Sequence, residues 1–415
     1  MGSGTLGQLN QVLLHPDQQV GSDLQKWLNG NGGDGLFKAI GAPGKVLSIV
    51  REAHLRGLGG KGYPTYLKLK AVAEAQSGDS YLICNGNEDE PGTFKDQELM
   101  LKSPHQVIEG ALIAAVATGI NHIIFYINPH HGEVAQTMEE AVNYWGSYLE
   151  EQQLLLSPIE LRIVISSGSY VSGEETAAIE SIEGRFPFPR GKPPFPSQSG
   201  LYGCPTLINN IETLANLPHI IRNGAEWFRN LGIGEHSGTK LYCLSGEINL
   251  PGIYELPMGT KLVDLLQQCG GGLSSGTEVK ALLCGGPSNP LLSGDDLDVA
   301  LDFDSLQTHG TGLGTGAIIV LSNASNIVAL VTKYIAFFAE SSCGQCPPCK
   351  SGIHYALQIL ERINSGEAYR GDLDLLFNLC DFLPGSGRCH LPDGAMKLIK
   401  SSLNHFLDEY KAAIG

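Results

Sequence analysis

The chain has 415 residues, more than one hydrophobic core usually serves, so its length predicts about two to four domains. Hydrophobic residues make up 42% of the chain and charged residues 17%, as is typical of a globular protein. A formal net charge of −16 argues against binding to nucleic acid or to an anionic membrane surface. The apolar run at 110–127 is too short to span a bilayer, so we expect no membrane insertion and a cytoplasmic location.

The first half of the chain alternates between two kinds of pattern. Apolar runs with strand character occur at 81–84, 122–127 and 161–165, each separated from the next by a segment of helical length. This alternation predicts an α/β domain with a largely parallel sheet. After a proline-rich loop, the pattern at 209–217 predicts a further helix.

The pattern changes near residue 238. Short strand-like runs at 241–245, 252–255 and 316–322 surround one helical pattern at 261–269, which predicts a small α+β domain. Beyond it the chain is helical to its end. The sequence is therefore divided into four parts: a surface lead-in at 1–43, an α/β domain at 44–237, a small α+β domain at 238–325 and a helical bundle at 326–415.

Three cysteines, Cys343, Cys346 and Cys349, lie within one short segment of the helical part. Ten cysteines in 415 residues are too few for a disulfide scaffold, so in a reducing compartment they are thiols or metal ligands. A cubane iron–sulfur cluster takes one thiolate at each iron corner, and this spacing brings three thiolates to a common point. Zinc sites more often draw paired cysteines from separated segments; zinc and unligated thiols remain the alternatives.

A fourth cluster ligand must come from elsewhere in the chain. Cys380 lies in an amphipathic helical pattern, where a buried structural thiol is the usual interpretation. Cys389 follows the loop PGSGR at 384–388, which can turn back toward a cluster. The pattern favours Cys389.

Several loops of the α/β domain combine residues suited to binding a ligand. The segment GLGGKG at 57–62 has dinucleotide-fingerprint spacing, but a helical pattern precedes it, so a plain helix–helix turn is an equal alternative. The acidic loop at 85–93 and the GEET segment at 173–176 each follow a strand, where ligands bind in open α/β sheets. The rigid KPPFP loop at 192–196 presents a cation and an aromatic ring. Together these loops predict a nucleotide or flavin pocket.

From about residue 45 onward, the chain resembles the flavin- and NADH-binding subunit of respiratory complex I. It is also similar to the relatives of that subunit in NAD-linked hydrogenases, formate dehydrogenases and electron-bifurcating enzymes. The segments that carry the resemblance, in the family's order, are RGLGGKGYPT (56–65), NGNEDEPGTFKD (85–96), GEETA (173–177), KPPFP (192–196), PTLINNIETLAN (205–216) and SCGQCPPC (342–349).

The resemblance implies a multidomain α/β protein with a Rossmann-like FMN domain, a β-grasp (SLBB-like) domain and a C-terminal helical bundle that holds a [4Fe–4S] cluster. The implied cluster ligands are Cys343, Cys346, Cys349 and Cys389. The residues implied to hold FMN are Gly57, Gly60, Lys68, Asn85, Asn87, Glu88, Tyr170, Gly173, Glu174, Asn209, Asn210 and Thr213. Those implied to border NAD(H) are Tyr63, Glu90, Glu175, Lys192 and Phe195. Of these, Glu90 and Glu175 are the candidate catalytic residues, acting as positioning groups.

The chain departs from the family pattern at several positions. The family usually has Arg where Leu58 stands, Gly at Tyr66, and an aromatic residue at or near Leu69 and Ala71. It has Asp at Asn87, a position that contacts the flavin's polyol; Asn can still hydrogen-bond a hydroxyl but carries no charge. We therefore expect an intact flavin site and a nucleotide site that lacks one stacking partner and one cation.

The implied function is oxidation of NADH by FMN, with single electrons passing to the cluster and on to partner subunits. Those partners are most simply a small [2Fe–2S] subunit and a further redox subunit of the same complex, which can be peripheral to a membrane. Glu175 would repel a 2′-phosphate and favour NADH over NADPH, whereas Lys61 and Lys70 favour the reverse. The alternatives are a relay or scaffold subunit with weakened or lost nicotinamide binding, a subunit that prefers NADPH, and a zinc-stabilised nucleotide-binding module.

Overall fold

The first sheet has four parallel strands, in the order β3-β2-β1-β4. The structure is a computed structural model that describes residues 12–75, 78–155 and 157–414. The strands are β1 Tyr81–Gly86, β2 His122–Ile127, β3 Glu160–Ile165 and β4 Thr206–Asn210. The three predicted strands and the parallel sheet are confirmed. The helix predicted from residue 209 was placed too early, because Thr206–Asn210 pairs with β1 and the helix begins at Ile211.

Helices cover both faces of this sheet. They are α1 Leu24–Asn29, α2 Asp34–Gly41, α3 Pro43–Glu52, α4 Thr65–Glu74, α5 Lys95–Lys102, α6 Pro104–Thr118, α7 Gly132–Glu151, α8 Glu175–Ile182, α9 Ile211–Ala215, α10 Leu217–Asn223 and α11 Ala225–Arg229. Helix α6 is mostly apolar and is buried along nearly its whole length. A β-carbon on Gly110 would lie 1.9 Å from the Leu214 carbonyl oxygen, so α6 and α9 meet backbone to backbone.

The strand order creates a crevice at the carboxyl edge of the sheet. The chain runs from β1 outward through β2 to β3 and then returns to place β4 on the other side of β1. Loops leaving β1 and β4 therefore diverge, and ligands bind at such a switch point in open α/β sheets. Asn85 and Asn210 lie opposite each other there, in register at the ends of the two strands.

The lead-in is part of the core, which makes the prediction of a surface segment wrong for the residues from 12 onward. Leu13, Trp27 and Leu36 are buried against the α/β domain. The Glu255 carboxylate accepts the backbone N–H groups of residues 12–14 at 3.0–3.1 Å, so the lead-in is also tied to the next domain.

The second domain contains a mixed sheet in the order β6-β5-β9-β7-β8. Its strands are β5 Thr239–Gly246, β6 Gly252–Pro257, β7 Val279–Cys284, β8 Leu291–Ser293 and β9 Ala317–Ser322. Its helices are α12 Leu262–Asp264, which continues as a π-helical turn at Leu265–Cys269, and α13 Phe303–Thr308. Strands β5 and β9 are parallel and the other pairs are antiparallel. The α+β prediction is confirmed, although β7 and β8 were not predicted.

The C-terminal part is a helical bundle, as predicted. It comprises α14 Ile327–Glu340, a π-helical turn at Pro348–Ile353, α15 His354–Ser365, α16 Asp372–Phe382 and α17 Leu391–Ile414. These helices enclose a separate apolar core that also contacts β7–β9. Across the described ranges, we find no helix that combines the length and apolarity needed to cross a membrane.

Candidate functional site

A cavity of about 730 Å³ opens at the carboxyl edge of the first sheet, where the three domains meet. Its walls come from loops of the α/β domain, from segments 285–289 and 311–315 of the second domain, and from the start of α17. A volume of this size suits a cofactor or dinucleotide. The predicted site residues that line it are Gly60, Asn85, Asn87, Glu88, Glu90, Tyr170, Gly173, Glu174, Asn210 and Cys389.

The glycine loop between α3 and α4 closes over the switch point. The Gly57 amide donates to the Tyr63 carbonyl at 2.8 Å, and the Leu58 amide donates to Thr213 Oγ1 at 2.8 Å. Gly57 and Thr213 therefore shape the loop without lining the cavity. A β-carbon on Gly59 would lie 2.7 Å from the Asn210 Cβ, a close approach that sequence reasoning missed. A β-carbon on Gly60 would have no described atom within 4 Å apart from its chain neighbours, which leaves room against the backbone for a flat ring or phosphate.

The acidic loop after β1 is held by its own hydrogen bonds. The Glu88 carboxylate accepts the Asp96 and Gln97 amides at 2.9 and 3.0 Å and so caps α5. Burial, reinforced by the charge of Asp96, raises the pKa of Glu88 to about 7. Asn87 Nδ2 donates to the Ser169 carbonyl at 3.2 Å, so Asn at this position joins the loops that follow β1 and β3.

Glu90 is a buried carboxylate at the meeting point of the domains. Tyr170 Oη donates to Glu90 Oε2 at 2.5 Å, and the Ser288 amide donates to Glu90 Oε1 at 3.1 Å. Burial raises the pKa of Glu90, while these two hydrogen bonds oppose the rise. The Tyr170 ring packs edge-on against Phe337 and Phe338 of α14, which links the site to the helical bundle.

Buried ion pairs that the sequence analysis missed hold the loops of the site in place. Lys95 and Lys240 have fully buried side chains and both contact Glu212 Oε2 at 2.9 Å. Although burial alone would raise the pKa of Glu212, the two lysines lower it. Lys240 Nζ also donates to the Leu58 carbonyl at 3.0 Å, and Asn210 Nδ2 donates to Asp96 at 2.6 Å. The glycine loop and β4 are therefore fixed by one ionic network between two domains.

A second ionic group lies where α8 begins, beside the cavity. Lys192 Nζ lies 3.0 Å from Glu174 and 2.5 Å from Glu175, and Lys68 Nζ lies 3.6 Å from Glu175. Burial opposes ionisation of Glu175, but the two lysines hold its pKa below its usual value. Only Glu174 of these four lines the cavity.

The structure shows where the predicted aromatic residues and the departures from the family pattern lie relative to the cavity. Tyr63 and Phe195 are 53% and 52% exposed and do not line the cavity. Leu58 packs into the core of the second domain and Leu69 is fully buried, so neither faces a ligand. Of the two lysines near the glycine loop, Lys61 lines the cavity. The other, Lys70, pairs with Glu74 at 3.6 Å.

Asn209, at the end of β4, has a side-chain amide that fits a bound group. Its Nδ2 atom is buried and has no hydrogen-bond partner in the described part of the chain. Leaving such a donor unsatisfied costs free energy, so a ligand acceptor at this edge would be stabilising. Asn209 itself does not line the cavity, whereas the open space beside Gly60 and the size of the cavity fit a flavin nucleotide.

The thiols of the cysteine segment form a group that includes Cys389. Burial raises the pKa of Cys349, and the charges of Cys343 and Cys346 raise it further. Burial likewise raises the pKa of Cys389 to about 11, with Cys349 and Cys343 among its charged neighbours. Cys380 lies in α16, where burial is the largest cause of its raised pKa and Lys400 and Asp381 are its charged neighbours.

The arrangement of these thiols is relevant to whether they bind a single metal ion or a cluster. Among residues 12–75, 78–155 and 157–414, no three His, Cys, Asp or Glu side chains are placed to hold a single metal ion. A cubane binds each thiolate at a different iron, so its ligands lie further apart than the ligands of one zinc ion. A donor set of four thiols is one that a [4Fe–4S] cluster accepts.

Comparison with known proteins gives a family for each domain. Residues 50–219 match the Nuo51 FMN-binding domain, and residues 241–290 match the SLBB domain. Residues 329–413 match the iron–sulfur binding region of NADH-ubiquinone oxidoreductase-F. The chain therefore has an FMN-binding domain and a [4Fe–4S] region, as the resemblance implied, and the zinc alternative is wrong.

Full-length relatives and a solved structure agree with these matches. The chain is 41% identical over 409 residues to the NADH-quinone oxidoreductase F 2 subunit of Rhizobium meliloti, covering 97% of each protein. It is 37% identical to the NADH-quinone oxidoreductase F subunit of Escherichia coli, covering 94% of this chain and 89% of that one. A crystal structure of NAD⁺-reducing [NiFe]-hydrogenase aligns with a TM-score of 0.85 and 33% identity, over 94% of this chain and 67% of that chain. The chain belongs to the NADH-quinone oxidoreductase F-subunit family.

Proposed function

We propose that the chain is the NADH-oxidising flavoprotein subunit of a multisubunit redox complex. Bound FMN supplies a hydride acceptor, and the [4Fe–4S] cluster supplies a one-electron acceptor. The observation that carries the proposal is that one cavity borders both the candidate flavin residues and the candidate cluster ligand Cys389. A dinucleotide, the flavin and the cluster can then lie side by side.

The proposed flavin ligands surround the switch point. Gly60 gives open backbone for the ring or phosphate, and Asn209 offers an unpartnered buried donor. Asn85 and Asn87 line the cavity and are held by hydrogen bonds to the loop after β3. These residues bind and orient the cofactor.

The proposed nucleotide ligands come from the loops outside the flavin residues. Tyr63 and Phe195 expose rings on which adenine can stack. Glu175, kept ionised by Lys68 and Lys192, can accept a hydrogen bond from a ribose hydroxyl. Glu90, fixed by Tyr170 and Ser288, positions the nicotinamide end, so the candidate catalytic residues act as positioning groups.

The proposed function also requires partner proteins that accept the electrons. The curated relatives are named as one subunit of a larger oxidoreductase, so we place this chain in a multisubunit complex. The proposed partners are a small [2Fe–2S] subunit and a further redox subunit that receive electrons from the cluster. The proposed location is the cytoplasm, at the periphery of that complex.

Anaerobic titration of the full chain, loaded with FMN and iron–sulfide, tests the function. NADH should bleach the flavin absorbance at about one equivalent. Phe195→Ala should raise the NADH concentration required, whereas Phe188→Ala, at another exposed aromatic, should leave it unchanged. An absence of bleaching with FMN and iron both present would overturn the proposal in favour of a relay subunit.

A further inference from the structure

Two lysines face the cavity from different domains. Lys61 belongs to the glycine loop of the FMN-binding domain, and Lys397 belongs to α17 of the iron–sulfur region. Both line the same cavity; burial lowers the pKa of Lys61, and the nearby charge of Lys397 lowers it further. The two ammonium groups therefore repel each other across one wall of the cavity.

These two lysines lack the partners that the other cations of the site have. Lys68 and Lys192 are paired with Glu175, and Arg56 is paired with Asp304 at 3.0 Å. Among the residues that the structure describes, no carboxylate lies within ion-pairing distance of Lys61 or Lys397. Asp393 acts on both from further away and is itself bound to the Gly385 amide and to His390.

Lys61 is also near the residues proposed to hold the ribose. Glu175 and Lys192 are both among its charged neighbours. The negative charge of Glu175, which would repel a phosphate on the ribose, is offset by Lys192 at 2.5 Å and Lys68 at 3.6 Å. A phosphate next to this group would therefore meet two cations that lack an ion-pair partner among the described residues, while the carboxylates of Glu174 and Glu175 are paired with Lys192 and Lys68.

We infer that Lys61 and Lys397 form a phosphate subsite for the ribose 2′-phosphate, so that the chain accepts NADPH as well as NADH. This inference rests on the proposed function and extends it to a second dinucleotide. The redox chemistry is unchanged, because NADPH gives up the same hydride as NADH to the bound flavin and leaves as NADP⁺. Lys61 is then a specificity-determining residue at a position that the sequence placed beside the pocket.

Binding of two fragments to the full chain, loaded with FMN and iron–sulfide, tests this inference without turnover. ADP-ribose and 2′-phospho-ADP-ribose differ only in the 2′-phosphate. Lys61→Ala should weaken 2′-phospho-ADP-ribose about tenfold and ADP-ribose by less than about twofold. Lys397→Ala should act in the same direction, and Lys61→Arg should keep most of the affinity.

Lys70→Ala is the matched control, since Lys70 lies in the next helix but is paired with Glu74 and does not line the cavity. It should leave both fragment affinities unchanged. An equal loss for both fragments in Lys61→Ala would place the lysine on the pyrophosphate and overturn the inference, as would failure of the unsubstituted chain to bind 2′-phospho-ADP-ribose. Flavin bleaching by NADH distinguishes failure of the phosphate subsite from failure of the proposed function. If NADH bleaches the flavin but either of these two binding results is found, only the phosphate subsite is wrong. If NADH does not bleach the flavin, the proposed function is wrong.

Discussion

Tyr170 donates a hydrogen bond of 2.5 Å to the carboxylate of Glu90, and the two residues come from loops after different strands. The β-grasp domain completes the arrangement, because the Ser288 amide holds the other carboxylate oxygen at 3.1 Å. A β-carbon on Gly286 would lie 2.5 Å from the same oxygen, so the second domain closes directly over Glu90. The position of this carboxylate therefore depends on the docking of two domains.

Tyr170→Phe should shift the pH dependence of the reaction. The hydrogen bond from Tyr170 favours the charged form of Glu90 and lowers the pKa of Glu90, so its loss should raise that pKa. The limb of the kcat/KM pH profile that reports Glu90 is the one that is lost in Glu90→Gln, with NADH as substrate. In Tyr170→Phe this limb should move to higher pH. Tyr369→Phe, at an exposed ring of the helical bundle, should not move it. An unchanged limb in Tyr170→Phe would contradict the proposed coupling.

Alanine substitutions at the neighbouring residues Gly59 and Gly60 should have different effects, one on stability and the other on FMN binding. In Gly60→Ala the new methyl group would meet open space, so the apoprotein should melt normally while FMN affinity falls about tenfold or more through overlap with the ligand. In Gly59→Ala the methyl group would lie 2.7 Å from Asn210 Cβ, which should destabilise the apoprotein by about 1–3 kcal/mol. Thermal melts and fluorescence titration with FMN measure the two effects. Normal FMN binding by Gly60→Ala would remove Gly60 from the flavin site.

Serine substitutions should separate the cluster ligand from the structural thiol. Cys389→Ser should lower the iron and sulfide content and the visible absorbance of the cluster, because it removes one of four thiolates. Cys380→Ser should keep the cluster, since its thiol is buried in the bundle core, but should lower the melting temperature modestly. Iron analysis and absorbance spectra measure the outcome. The reverse pattern would make Cys380 the fourth ligand.

Lys240→Met should destabilise the protein strongly. It leaves Glu212 with one cationic partner in place of two, and the loss of one member of a buried ion pair costs about 3–5 kcal/mol. It also removes a hydrogen bond to the Leu58 carbonyl, so FMN should be retained less well. Lys261→Met, which breaks an exposed pair with Asp298, should leave the urea midpoint unchanged. Equal midpoints for the two variants would show that the buried network adds no stability.

The parts of the fold that follow local pattern could be predicted. Strands β1 to β3 are apolar runs bounded by helical patterns, and the periodicity of those runs does not depend on remote partners. Strand β4 ends in Asn209 and Asn210, and its pairing is decided by β1, which is far away in the chain. Strand β8 is only three residues long and exists because β7 offers it a partner. Such tertiary pairing leaves little local signal.

The candidate site likewise contains residues that local sequence pattern could predict and residues whose position depends on partners far away in the chain. Cys389 could be proposed as a cluster ligand because a glycine-containing loop precedes it and the thiol has a specific chemistry, and the structure places it at the cavity. Lys95 and Lys240 were not identifiable, because lysine is rarely buried and their burial depends on the carboxylate of Glu212, which is remote in the chain from both. Lys61 and Lys70 look alike in sequence, yet one lies in a loop that faces the cavity and the other on a helix face beside Glu74.

The cavity between the three domains has a consequence for the assembly of the protein. A ligand that touches all three walls binds the docked arrangement and not the separated domains, so it shifts the docking equilibrium by mass action. At a hundredfold excess of ligand over its dissociation constant, this linkage contributes about 2.7 kcal/mol. A flavin that touches all three walls would therefore tie its own saturation to the docking of the domains.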